Sequence, residues 1–165
     1  MHIIITILLI LAGIIVLLLL SGLFMKKQHY VKREVIINAP AEKVFNYIKL
    51  LKNQDAFNKH ATAGADRKRE FTGTDGTVGY IYAWSGDKDA GVGEKEIIHI
   101  VEGKSMEAEI RFTKPMKVTA RIVMETEPLA DNKTKLYWSN GGTLNYPLNI
   151  LIPMMQKSVA KDMYS

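Results

Sequence analysis

Residues 104–126, KSMEAEIRFTKPMKVTARIVMET, carry the pattern that decides the fold. Met106, Ala108, Ile110 and Phe112 alternate with Glu107, Glu109 and Arg111; beyond Pro115, Val118, Ala120, Ile122 and Met124 alternate with Thr119, Arg121 and Glu125. A period of two in both halves predicts two strands joined by a short turn, each with an apolar face for a core and a polar face for water. The same grammar extends on either side. Strands are expected over 68–72, 79–85, 93–101 and 133–143, separated by Gly73-Thr-Asp-Gly76, Gly86-Asp-Lys, Glu102-Gly103 and Asp131-Asn132. Links this short predict an antiparallel meander. Tyr80, Tyr82 and Trp84 share one face of their strand, and Leu136 and Trp138 share one face of theirs.

Before the meander, residues 30–38 alternate as a strand, and a helix follows with Pro40 at its first position and Glu42 in its first turn. Val44, Tyr47, Ile48 and Leu51 recur at i, i+3, i+4, i+7, an apolar stripe that should cover the sheet. Residues 53–67 are polar around Phe57 and predict a helical turn and a loop. After the meander, the chain is expected to be helical beyond Pro153, with Met154, Met155, Ser158, Val159, Asp162 and Met163 at helical spacing.

Residues 3–25 differ from all of this. They hold no charged side chain and are apolar on every side, broken only by Thr6, Gly13, Ser21 and Gly22. At ~1.5 Å per residue the stretch can cross a hydrocarbon layer of about 30 Å. It lacks the basic start and small-residue cleavage site of a signal peptide, so an uncleaved transmembrane anchor over 1–25 and one domain over 26–165 are expected. Lys26, Lys27, Lys32 and Arg33 follow the span, which predicts an outside N-terminus and a cytoplasmic domain. The net charge of +5 falls in the domain, where it suits anionic lipid headgroups or serves as ordinary solubilising charge.

Catalytic chemistry is sparse. The absence of cysteine removes thiolate nucleophiles, disulfides and cysteine-ligated zinc. His2, His29, His60 and His99 have no metal-ligand spacing, so no metal is expected. The glycines between Gly73 and Gly79 lack the Gly-Lys-Ser/Thr and following helix of a phosphate loop. Arg67-Lys-Arg69 reads as a solvated strand end rather than a nucleic-acid patch. Glu94 and Glu96 share the parity of Ile98, which would point them inward near the mouth of a cavity. At the start of a strand both are also expected to reach water, and no catalytic residue is assigned.

The order strand, helix, antiparallel strands, closing helix resembles the START-like, polyketide-cyclase/dehydrase (SRPBCC) superfamily, and in particular its membrane-anchored bacterial members. The resemblance lies in Val35-Ile-Ile-Asn-Ala-Pro-Ala-Glu-Lys-Val-Phe45, in 71–84 (FTGTDGTVGYIYAW), in Gly91-Val-Gly-Glu94 and in Glu109-Ile-Arg-Phe-Thr-Lys-Pro115. It implies an α+β helix-grip fold, a curved antiparallel sheet wrapped on a C-terminal helix, with an apolar cavity between them and no shared catalytic set. Two departures stand out: His60 replaces an expected aromatic, and the closing helix stops about three turns early, which would leave the cavity less covered.

These readings converge on a non-catalytic, inner-membrane-tethered binding module for a hydrophobic small molecule or lipid, without cofactor. Tyr80, Tyr82, Trp84, Ile110, Ile122 and Trp138 are the expected ligand contacts. The alternatives are an accessory subunit of a larger membrane complex and an enzyme of cyclase or dehydratase type.

Overall fold

A computed structural model describes residues 2–54, 56, 68–86 and 91–162. Phe57, His60, Arg67 and Met163 lie outside them. The elements are α1 (His2–Phe24), β1 (Gln28–Ile37), α2 (Ala41–Ile48), α3 (Leu51–Gln54), β2 (Lys68–Thr72), β3 (Ile81–Ser85), β4 (Val92–Val101), β5 (Ser105–Lys114), β6 (Val118–Pro128), β7 (Thr134–Thr143), a 3-10 turn (Leu148–Leu151) and α4 (Ile152–Asp162).

The strands form one antiparallel sheet in the order β1-β7-β6-β5-β4-β3-β2. Every consecutive pair from β2 to β7 is a neighbour, and β1 closes the far side against β7. This is the expected meander. At the β6–β7 link, Asp131 and Asn132 both take positive φ, near 60°, the paired left-handed geometry of a tight hairpin turn. On the inner face, Tyr80, Tyr82, Ile97, Met106, Ala108, Ile122, Met124 and Leu136 are buried and form one cluster with Val44, Ile48 and Leu51 from the helices.

The first helical stretch departs from the expected stripe. α2 starts at Ala41, with Pro40 one place earlier as its cap, and ends at Ile48. The chain restarts as α3 because Asp75, from the Gly73–Gly76 turn, accepts the backbone N–H groups of Leu51 and Lys52 at 2.8 and 3.2 Å. Phe45 takes a buried place, and Tyr47, expected inside, is 47% exposed.

The closing helix starts at Ile152, makes its nearest backbone approach to the sheet at β1, and turns inward only part of the expected stripe, Met155 and Val159. Ile152 is buried and Met155, Gln156, Val159 and Ala160 are half-buried, while Met154 and Ser158 face out.

α1 stands clear of the domain. Its side chains are exposed down to its last turns, and it spans about 34 Å at ~1.5 Å per residue. Among its described residues only Gly22 is buried, against the 3-10 turn. There Asn149, itself fully buried, donates its side-chain amide to the carbonyl oxygens of Gly22 and Met25 at 2.6 and 3.1 Å. Carbonyls at a helix C-terminus lack intrahelical donors, and a side chain from the far end of the sequence supplies one.

Candidate functional site

The inner face of the sheet can be written as a lattice from its register. One row runs His29, Gly142, Ala120, Ile110, Lys95, Tyr82, Phe71 across the strands from β1 to β2. The next runs Val31, Asn140, Ile122, Ala108, Ile97. Toward the end of the sheet nearest α1, Val118, Phe112, Gly93, Trp84 and Arg69 form a further row.

Small residues occupy the middle of this face. Gly142 and Ala120 are register partners, Ala108 lies one row further along on β5, and Gly93 sits near the other side. Aromatic rings overhang the glycines: a Cβ added at Gly93 would lie 2.7 Å from the Trp84 indole, and one added at Gly142 would lie 2.7 Å from the His29 ring. Trp84 also meets Phe112 edge-on at 5.4 Å and Tyr82 at 6.0 Å between ring centroids, and Tyr82 stacks on Phe71 at 5.3 Å. The expected ligand residues thus all lie on the inner face. Tyr80, Tyr82 and Ile122 are buried in the cluster, Ile110 and Trp138 pack against it, and half-buried Trp84 caps the end toward α1.

Lys95 is the inner-face residue that the sequence reading missed. It is 6% exposed and donates its ammonium to the Oε1 of Gln54, which is 2% exposed. Gln54 in turn donates to the Ile48 carbonyl oxygen at 2.7 Å, at the end of α2. A buried ammonium is costly without such acceptors. The lysine and amide therefore form one polar pole on this face, and His29 with Asn140, 3.3 Å apart toward β1, forms another.

The reason for the miss is a bulge. Between Ile97 and His99 the register of β4 against β5 shifts, so that inward residues are Gly93, Lys95 and Ile97 before it, and Ile100 after it. Parity counted back from Ile98 and Ile100 therefore turned the first half of β4 inside out. Glu94 and Glu96 lie on the outer face, contrary to the inward placement. There they flank Arg111, which donates to Glu96 at 2.5 Å, Glu94 at 2.7 Å and Glu109 at 2.8 Å. Hydrogen bonds to Glu96, then Glu109 and Glu94, raise the guanidinium pKa well above its ordinary value. This is an ion network on the sheet's outside, half open to water.

A groove of about 360 Å³ lies along β2, β3 and β4 at the same end, lined by outer-face Lys68, Glu70, Ala83 and Glu94 and also by Trp84 and Gly93. It is open and mixed in polarity. Among the described residues, no cluster of His, Asp or Glu could hold a metal ion.

No family model matches the sequence, and no curated protein matches it. Solved structures do. Truncated norcoclaurine synthase from Thalictrum flavum superposes with a TM-score of 0.64 at 15% identity, covering 83% of this chain and 89% of that one. The Mll3558 protein from Rhizobium loti gives 0.60 at 14%, over 83% and 93%. Ara h 8.0201 gives 0.54 at 17%, over 83% and 97%. Identities this low establish fold. The fold is a helix grip shared with these structures, carrying one N-terminal helix long and apolar enough to cross a membrane.

Proposed function

We propose that the chain is a membrane-tethered module that binds a hydrophobic small molecule or lipid on the inner face of its sheet, without covalent chemistry. The observation that carries this is the row Gly142, Ala120, Ile110, Lys95, Tyr82, in which small and aliphatic side chains stand beside a buried lysine. Such a wall suits a ligand that is mostly apolar with a polar end, because apolar pockets gain orientation from a few placed polar groups. Solved neighbours support the fold needed for it, and one of them is by name a synthase. That keeps an enzyme of cyclase or dehydratase type as the second reading, with Lys95 the side chain it would use. α1 would hold the domain beside the bilayer that supplies the ligand, with the domain on the cytoplasmic side of the inner membrane.

The test pairs wild type with Trp84→Ala in thermal unfolding and apolar-probe binding. A ligand site predicts that the variant keeps its fold and changes which probes bind. A solid core predicts a loss of about 3–5 kcal/mol and no probe binding in either protein, which would favour a docking role in a larger complex.

A further inference from the structure

The joint between α1 and the sheet brings a second surface to the same end of the domain as the linker. Gln28 pairs with Thr143, which pairs with Thr119, so the first residue of β1 is level with the second residue of β6. The ladder continues one step past Gln28, where Leu144 donates to the Lys27 carbonyl oxygen at 2.8 Å. By this register Val118 and Lys117 are level with Lys27 and Lys26. The β5–β6 hairpin, Lys114-Pro115-Met116-Lys117, thus reaches as far toward α1 as the linker does. With strands ~4.8 Å apart, it stands about 10–15 Å to the side of the span's exit.

All four lysines, Lys26, Lys27, Lys114 and Lys117, are exposed, and no acidic residue lies within either segment. Among the described residues, the acids on this end sit further across the sheet: Glu70 on β2, and Glu94, which is bonded to Arg111; Asp66, Asp87 and Asp89 lie outside the described residues. The opposite end is mixed, with Glu102 paired to Lys49 at 2.7 Å and Asp131 two residues from Lys133. Asn149 ties this end of the domain to the last turn of α1 and to the linker through two hydrogen bonds.

We propose that the Lys114–Lys117 hairpin is a membrane-contact surface that, with Lys26 and Lys27, grips anionic lipid headgroups and seats the sheet end on the bilayer. This rests on the reading of α1 as a membrane span. Seated so, the row Trp84, Gly93, Phe112, Val118 faces the headgroup layer, giving an apolar ligand a short path from lipid to the inner face.

Because the chain has no cysteine, single-site labelling is clean. Full-length Met116→Cys and Lys133→Cys, the latter at the opposite end of the sheet, would each carry a fluorophore in nanodiscs containing headgroup-spin-labelled lipid. In phosphatidylglycerol discs the Met116 label is expected to be quenched severalfold more than the Lys133 label. Adding Lys114→Glu and Lys117→Glu should bring it down to the Lys133 level with the melting temperature unchanged. Equal quenching of the two labels in discs that contain the chain overturns the proposal, and equal Met116 quenching in phosphatidylcholine discs overturns the assignment to anionic headgroups. Failure of the underlying span reading has a different signature: the chain would not enter discs and would be released from membranes by alkaline carbonate.

Discussion

The side-chain amide of Asn149 donates to the backbone oxygen of Gly22 across 127 residues of sequence, at 2.6 Å. α1 and the domain are therefore joined by more than the peptide linker. Asn149→Ala should leave two carbonyls without their donor at a buried site and lower full-length stability by about 1–3 kcal/mol. A chain that starts at Gln28 should fold with its sheet intact and show a much smaller effect of the same substitution, since the partner carbonyls are gone. Thermal unfolding of the four proteins checks this; equal effects in long and short chains would mean that Asn149 acts inside the domain.

Gly93 lies beneath the Trp84 indole, and a Cβ there would also meet the Arg111 carbonyl oxygen at 2.9 Å. Backbone cannot retreat as a side chain can. Gly93→Ala is expected to push the indole off its seat, cost about 1–3 kcal/mol and shift the tryptophan emission. Unchanged emission and stability would show that the ring has free room.

On the outer face, Arg111→Met should be more damaging alone than in combination with Glu96→Gln, because the single change leaves Glu94, Glu96 and Glu109 side by side without their cation. Denaturant unfolding of the double-mutant cycle measures the coupling. Additive losses would reduce the network to solvated surface charge.

Topology has its own check. With Lys26, Lys27, Lys32 and Arg33 after the span, protease added to intact cells should leave the domain whole. Rapid digestion from outside would reverse the assigned orientation.

The strands and the order of the meander from β2 to β7 were legible because alternation is a local signal and the links within it are short; the place of β1 beside β7, some thirty residues before β2, was not read from alternation. What escaped reading came from contacts that alternation does not encode. One extra residue between Ile97 and His99 reverses the faces along β4, which hid Lys95 and misplaced Glu94 and Glu96. The break after Ile48 depends on Asp75, a distant acceptor that lets α3 start afresh and leaves Tyr47 outside. Asn149 sits two residues beyond a proline in a segment with no period, so nothing local marks it as the seat of α1. A lysine at the centre of an otherwise apolar strand half, Gly93-x-Lys95-x-Ile97, was the one available signal of a polar pole inside the sheet.

The central claim is that the inner face holds an apolar molecule. Native mass spectrometry of the full chain, extracted gently from its own membrane, tests it most directly, alongside Ala120→Phe, which places a ring over the row between Gly142 and Ile110. The account predicts a wild-type species carrying one hydrophobic small molecule or lipid, and a folded variant that carries none. A wild-type chain that emerges empty, or that keeps the same adduct when Ala120 is filled, would contradict it.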